Sequence, residues 1–456
     1  MSFLMLNIAG RALATQQLAM EVTGNNLTNA TTPGYQTETA AVTEAPPVPV
    51  SELGSNGQAG QLGEGTTVST IQRAQNSFLS QSLRGQMSQT GMWQSENQLL
   101  GQIQNTFQEP SSSGLEETLS SFYATYNTLS QNPSSPANQT AVVQQGKIVA
   151  QTFNQMASQI SDMQTQANQS VQSTVEQINS LSAKLANLNR QITTVIGAGQ
   201  SPNDLEDQRT EALNQLSQLV NISYTQNGTT GADNVYLGGQ PLVTDGQNYN
   251  LATVNQPSAN GDYTAVQVTW ADTSETPPTI ASGSLAGLIN VRDQNLASYQ
   301  NQLTSLAQNL QAIVESSASS SPGLFSSTGP NAASTLTFSA NPGYNGSAAT
   351  TNQGVLSLYQ NLTTGPASAT SGSSTLLDQY TNLVDQVGND GQNASTQYQT
   401  ANTTQTDLSN TLSSQVGVNV DQQSALLIQE QQSYSAAAQL VSTEQATMQS
   451  LLQAVS

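Results

Sequence analysis

The chain has 456 residues, no cysteine and no histidine, and its eight Lys plus Arg against 29 Asp plus Glu give a net charge of −21. Disulfides and thiolate metal sites are therefore excluded, and so are the commonest general base and the commonest metal ligand. A basic face for nucleic acid or anionic membrane cannot be built, and the last 164 residues carry no positive charge at all.

Charged residues make up 8% of the chain, against roughly 25% in ordinary globular proteins. Gln, Asn, Ser and Thr must cover the surface. The length allows two to four domains at about 150 residues each. No apolar run approaches the roughly 20 residues of a membrane span, so no membrane insertion is expected. The first residues, Met1-Ser2-Phe3-Leu4-Met5-Leu6-Asn7, lack a basic leader and a long apolar core. Secretion, if it occurs, is expected to proceed without a cleaved signal peptide.

Residues 2 to about 28 read as a helix. Leu6, Leu13, Met20 and Leu27 recur every seven positions, with Phe3 one turn ahead of Leu6, and make a narrow apolar seam. The helix should stop before Thr32-Pro33-Gly34-Tyr35, since proline disfavours a helical residue before it and glycine suits the turn. Asn25, Asn26 and Asn29, with Pro33, Gly34 and Tyr35, form the helix exit and turn. Residues 36–72 read as extended, with a short strand or hairpin over 63–71.

Helix is predicted over about 74–131 with a break near Glu109-Pro110, then over 137–198, too long for an ordinary globular helix and suggestive of a coiled-coil-like bundle. Pro202 opens a helix over about 202–220. Residues 222–281 alternate Gly, Asn, Thr and Val and read as a small β domain. Helix resumes at 284–318, the Ser/Gly/Pro-rich stretch 319–372 reads as a second β or loop insertion, and helices over 373–415 and 421–455 finish the chain.

In the last helix Val420, Leu427, Tyr434, Val441, Met448 and Val455 recur every seven residues, with Ala438 and Leu452 as a weaker second stripe. The seam fits a core-facing stripe, the commoner meaning of such spacing, and also a contact with other subunits; periodicity does not choose between them.

These elements predict a mainly α fold with β insertions, in which both chain ends pair as a helical bundle stalk and one or two small β domains project outward. The expected division is a terminal assembly domain (1–40 and 420–456), a helical bundle (41–221, 282–320 and 373–419), a β domain (222–281) and a second β or loop insertion (321–372).

No chemistry-bearing constellation stands out. Asp204, Glu206 and Asp207 suit the first turn of a helix. Arg209 and Arg292 each lie near an acid and are expected in ion pairs, within the chain or between subunits. No catalytic residue, cofactor site or metal site is expected.

The segment Ala19 to Tyr35, with Asn25-Asn26-Leu27-Thr28-Asn29 and Thr32-Pro33-Gly34-Tyr35, closely resembles the N-terminal signature of flagellar rod, hook and hook-associated axial proteins, with Thr28 where alanine is usual. Val416-Gly417-Val418-Asn419-Val420-Asp421 and Leu427 to Ala438 resemble the matching C-terminal entry and helix, with Gln422 and Gln423 in place of glutamates. Three interior segments, Asn203 to Arg209, Asn234 to Val243 and Gly283 to Asp293, resemble the hook-associated protein 1 branch of that family.

The resemblance implies a structural subunit of the bacterial flagellum at the hook–filament junction, outside the cell, and not an enzyme. It implies a homo-oligomeric ring, contact with hook protein and with hook-associated protein 3, export by the flagellar type III apparatus, and an export chaperone on the C-terminal helix. It also makes the Asn25–Tyr35 turn a joint near neighbouring subunits. A hook or distal-rod subunit is the alternative within the family, and an extracellular adhesin carried by the β insertions is the alternative outside it.

Overall fold

The computed structural model describes residues 2–50, 60–107, 114–257, 264–272, 277–317, 324–339, 348–364 and 375–455. The chain begins with α1 (Ser2–Thr28), then β1 (Glu38–Glu44), β2 (Val48–Val50), β3 (Gly60–Leu62) and β4 (Thr66–Arg73). β1 and β4 pair antiparallel, as do β2 and β3, so this extended arm is a long hairpin. α2 (Ser77–Thr106) starts where the Asn76 side chain accepts the Leu79 N–H at 3.0 Å, a helix N-cap. α3 (Leu115–Gln131) has Glu116 and Glu117 in its first turn, facing the positive end of the helix dipole.

α4 (Pro136–Gly197) has 62 residues, hence about 93 Å at 1.5 Å per residue. Ser135 caps it and Pro136 occupies its first position, where a missing N–H costs nothing. Gly199, at φ +77°, turns the chain out of it. α5 (Asn203–Leu219) follows and packs back along α4.

The β domain is a four-stranded antiparallel meander, β5 (Ile222–Gln226), β6 (Asp233–Leu237), β7 (Gln240–Thr244) and β8 (Gln247–Asn248), followed by the ribbon of β9 (Leu251–Pro257) and β10 (Thr264–Trp270). β6 reads buried–half-buried in strict alternation, with Asp233, Val235 and Leu237 inward, the signature of a sheet with one covered face. That face lies on α4, which holds the strands by their main chain. Asn168 takes the Val266 N–H at 3.0 Å and donates to the Thr264 carbonyl at 2.7 Å. Asn179 does both for Leu251, each at 2.8 Å, and Asn189 does both for Asp233, at 3.1 and 2.8 Å. Each asparagine thus stands in for the edge of a neighbouring strand.

α6 (Ser284–Asn290) runs through a π-helical turn, Val291–Leu296, into α7 (Ala297–Ser317). The expected single helix over 284–318 is therefore interrupted by one wider turn, which period-3.6 reasoning cannot see. β11 (Phe325–Ser326) and β12 (Thr337–Phe338) form a short hairpin, α8 (Ala348–Thr364) follows, and α9 (Leu376–Val416) and α10 (Val420–Val455) end the chain.

The second insertion departs from expectation. Residues 321–372 were expected as β or loop, yet α8 lies inside that stretch, with Val355, Leu358 and Leu362 buried against α3 and α7. Tertiary burial of three apolar side chains outweighs the Ser/Gly-rich flanks that obscured the helix. The hairpin itself is seated by aromatic edges: the Phe325 and Phe338 rings are 4.8 Å apart, and Phe325 meets Phe122 of α3 at 5.6 Å. Gly146 of α4 makes the space, since a Cβ there would lie 2.5 Å from the Phe338 ring. The Glu109-Pro110 break falls outside the described residues.

Three antiparallel pairings organise the helices. α2 lies along α9, with Gln86 on the Ala401 carbonyl and Asn76 on Gln415. α3 folds back on α4, and α1 pairs with α10, the two chain ends side by side. The mainly α architecture with small β insertions is thus observed. α2 and α6 cross at near backbone contact, because a Cβ on Gly287 would stand 2.3 Å from the Met92 carbonyl oxygen. Gly287→Ala should therefore lower stability by about 1–3 kcal/mol through overpacking, read as a fall in the urea midpoint; an unchanged midpoint would show that the crossing is slack.

Candidate assembly joint

The helix-exit motif and the acidic start of α5 lie far apart in sequence and meet in space. Asn26 is the centre of the joint and is 1% exposed. Its Nδ2 donates to the Glu38 carbonyl at 2.8 Å and to Gln423 Oε1 of α10 at 3.1 Å. Its Oδ1 accepts the Glu38 N–H and the Tyr35 hydroxyl, each at 2.9 Å. Two donors and two acceptor sites are all an amide has, so Asn26 is saturated. It ties α1, β1, the turn and α10 together.

The rest of the turn supports that residue. Asn29 Nδ2 donates to Asn25 Oδ1 at 2.7 Å, which closes the end of α1. Gly34 sits at φ +81° and packs on Glu211 of α5, a conformation that side chains rarely adopt. Burial, with Glu38, Asp207 and Asp204 nearby, pushes the Tyr35 hydroxyl far above its ordinary value, so it stays a donor. Together Asn25, Asn29, Pro33 and Tyr35 border a cleft of about 380 Å³ against Asp204 and Asp207.

Residues 36 and 37 clamp the joint from both sides. The Gln36 N–H donates to Asp207 Oδ2 at 3.3 Å, and Arg73 of β4 donates to Asp207 Oδ1 at 2.5 Å. The Thr37 N–H donates to the Val416 carbonyl at 2.8 Å, and its hydroxyl to the Gly417 carbonyl at 2.7 Å. The link between α9 and α10 is therefore held by the residues that follow α1. Arg209 pairs with Asp233 at 3.0 Å and reaches Glu206 at 3.7 Å, which fastens α5 to the β domain. Arg292 pairs with Asp293 at 2.7 Å. The scarce cations are thus largely spent inside the chain, as expected for Arg209 and Arg292.

The structure distributes the seam residues unevenly. Leu6, Leu13, Met20 and Leu27 are each half-buried, while Ala9, Thr15, Ala19, Val22, Thr23 and Asn26 are the buried residues described on α1. On α10 the buried line is Gln423, Glu430 and Ala437, also seven apart. Leu427, Val441 and Met448 flank it half-buried and Tyr434 is exposed. The side chains of Phe3 and Val455 lie outside the described residues. Thr23 donates to Glu430 Oε1 at 3.1 Å. Meanwhile Ile428, Leu440 and Leu452 are 56%, 64% and 67% exposed. The contact between the end helices is thus mostly small or polar, while several large apolar side chains of α10 face outward. Periodicity of large apolar residues could not find a buried line of Gln, Glu and Ala.

Four carboxyls, Glu96, Asp207, Asp233 and Glu430, are pushed above the usual carboxylate range by burial, opposed by Asn290, Arg73, Arg209 and Thr23 respectively. The folded chain holds these protons more tightly than the unfolded chain. Their contribution to stability is therefore lost as pH rises from about 4 through the folded values. Asp378, lowered by its hydrogen bonds with Thr375, acts oppositely but is solvent-exposed. The thermal midpoint should rise on going from about pH 8 to about pH 5, helped by relief of a −21 net charge; a falling midpoint would contradict the assignment.

Among the described residues no group of His, Cys, Asp or Glu is arranged to hold a metal. No described helix is long and apolar enough to cross a membrane.

The family described as the flagellar hook-associated protein FlgK helical domain matches residues 100–330, half of the chain. This chain belongs to the FlgK family. The flagella basal body rod protein family matches residues 6–36. Within the FlgK fold the joint is thus where the two matches touch: Asn25 to Tyr35 fall in the rod-protein match, Asp207 and Arg209 in the FlgK helical domain.

Flagellar hook-associated protein 1 of Bacillus subtilis is 25% identical over 97% of this chain and 96% of its own length. The proteins of that name from Salmonella typhimurium and Escherichia coli are 32% and 30% identical over 66% of this chain. The matched stretch spans about half of the length of these two relatives, at 54% and 55%. A solved structure, the flagellar hook junction protein FlgK from Burkholderia pseudomallei, aligns at TM-score 0.49 and 26% identity over 54% of this chain and 46% of that one.

Proposed function

We propose that this chain is the junction subunit that joins hook to filament and lets flagellin assemble. The end-helix pair carries this reading. Its inner line is Gln423, Glu430 and Ala437 while Ile428, Leu440 and Leu452 face outward. Burying each such aliphatic side chain against neighbours contributes about 1.5–3 kcal/mol. Copies of the chain pack by these faces into a ring, with residues 1–40 and 420–456 as the assembly domain and the bundle and insertions outside it. Hook protein lies on one side and hook-associated protein 3 on the other. Before export a chaperone covers the C-terminal helix. The role is structural, without catalysis.

Deletion of the gene in its host tests this, with electron microscopy and an assay of flagellin in the medium. Bare hooks with shed flagellin are expected. A copy carrying Ile428→Gln, Leu440→Gln and Leu452→Gln should stay folded by circular dichroism and fail to restore filaments. Basal bodies without hooks would assign a rod or hook role instead, and normal filaments would overturn the junction reading.

A further inference from the structure

α4 carries a buried line at every seventh position: Ala150, Ala157, Val171, Ile178, Leu185 and Ile192 are its apolar members. The line has one polar member, Gln164, which is 3% exposed. Gln300 of α7, 2% exposed, shares its surroundings. Neither amide atom of Gln300 has a hydrogen-bond partner, nor has Gln164 Nε2. Asn154 Oδ1, further along α4, is also unpartnered, while its Nδ2 donates to the Leu336 carbonyl at 3.1 Å. Buried amides left unpaired are costly, and here several gather in one place.

Gln164 and Gln300 both line two clefts, which adjoin at these side chains. The first, of about 620 Å³, is bordered by β10, by Pro278, Ile280 and Ile289, and by Arg292 and Asp293 of the π-helical turn. The second, of about 490 Å³, is bordered by Asn154, Ser158, Ser161, Asn331, Ser334 and Thr335. Both sizes suit small-molecule sites of roughly 300–1,000 Å³, and π turns recur at functional positions.

The chemistry of these side chains restricts the ligand. Their unpaired atoms are two donors, Gln164 Nε2 and Gln300 Nε2, and one acceptor, Gln300 Oε1, so a ligand held between them must both accept and donate. Carboxylates and phosphates only accept, and ammonium groups only donate. A secondary amide supplies both. Aliphatic and proline surface in the first cleft suits a methyl group, and hydroxyls and amides in the second suit ring hydroxyls. We propose that the joined clefts bind a neutral N-acetylated sugar, with Gln300 and Gln164 pairing its acetamido group and the second cleft its hydroxyls.

The test titrates N,N′-diacetylchitobiose into the full chain by calorimetry and saturation-transfer NMR. Cellobiose, the same scaffold without acetamido groups, and a capped neutral tripeptide serve as comparisons. Saturable chitobiose binding is expected, with cellobiose about tenfold weaker or worse. Gln300→Leu should abolish binding without lowering the thermal midpoint. Should that variant misfold, Gln164→Leu, which completes the apolar line of α4, gives the same readout. Absent or unsaturable chitobiose binding, equal binding of cellobiose, a preference for the tripeptide, or binding retained in the folded variant would each overturn the proposal. A lowered midpoint in Gln300→Leu together with no sugar binding would show that solvent pairs the amides, which also overturns it.

Discussion

Asn26→Leu should free the paired end helices from the body while leaving the body folded. Four hydrogen bonds meet on that side chain, and a typical net contribution of about 0.5–1.5 kcal/mol each gives about 2–6 kcal/mol. The Glu38 N–H would also be left buried without its acceptor. Limited proteolysis reads the effect directly: cleavage should appear first between residues 28 and 38 and around 417–420, with the bundle resisting. Asn26→Asp is the sharper variant, because it keeps the size and the acceptor, loses both donors, and sets a carboxylate beside Glu38. Uniform protection in both variants would show that packing of α1 on α10, rather than Asn26, holds the joint.

Arg209→Met should destabilise the bundle by about 3–5 kcal/mol, the cost of stranding a buried charge. Asp233 is 5% exposed and has Arg209 at 3.0 Å. The guanidinium also serves the Gly231 carbonyl and Asn189. Removal of the cation should raise the Asp233 carboxyl further, so the loss should shrink on mild acidification. The double change Arg209→Met with Asp233→Leu should recover much of the stability, since two apolar side chains strand no charge. Equilibrium urea unfolding of the single and double variants measures the coupling. An additive double variant would mean that the pair contributes little.

How much of this was legible in the sequence varies element by element. α1 and its exit were legible because a regular apolar spacing ends at Pro33 and Gly34, and both signals are local. α4, α5 and the β domain were legible because the period changes from helical to alternating near 220, where α5 gives way to β5. α8 was not, since the residues that fix it, Val355, Leu358 and Leu362, find their partners on α3 and α7. The π-helical turn leaves no mark in periodicity. The joint was half legible: Asn26, Gly34 and Tyr35 stood out, but Gln423, which Asn26 bonds, and Asp207 and Val416, which the adjacent Gln36 and Thr37 bond, are distant in the chain. The acidic start of α5 suited a helix terminus in the sequence, and the structure adds that Asp207 also anchors Arg73 and Gln36. The line of Gln423, Glu430 and Ala437 was hidden because polar and small residues carry no hydrophobic signal.

Asn168, Asn179 and Asn189 grip the strands through amide groups of the backbone, which every residue but proline possesses in full. The seating of the outer sheet is therefore indifferent to most of the side chains the sheet displays. Such a platform lets the exposed face of the β domain drift in sequence, or be replaced by another ribbon of similar reach, without disturbing the long helix beneath. Change at the surface is decoupled from the long helix, so the same support can present many different exteriors.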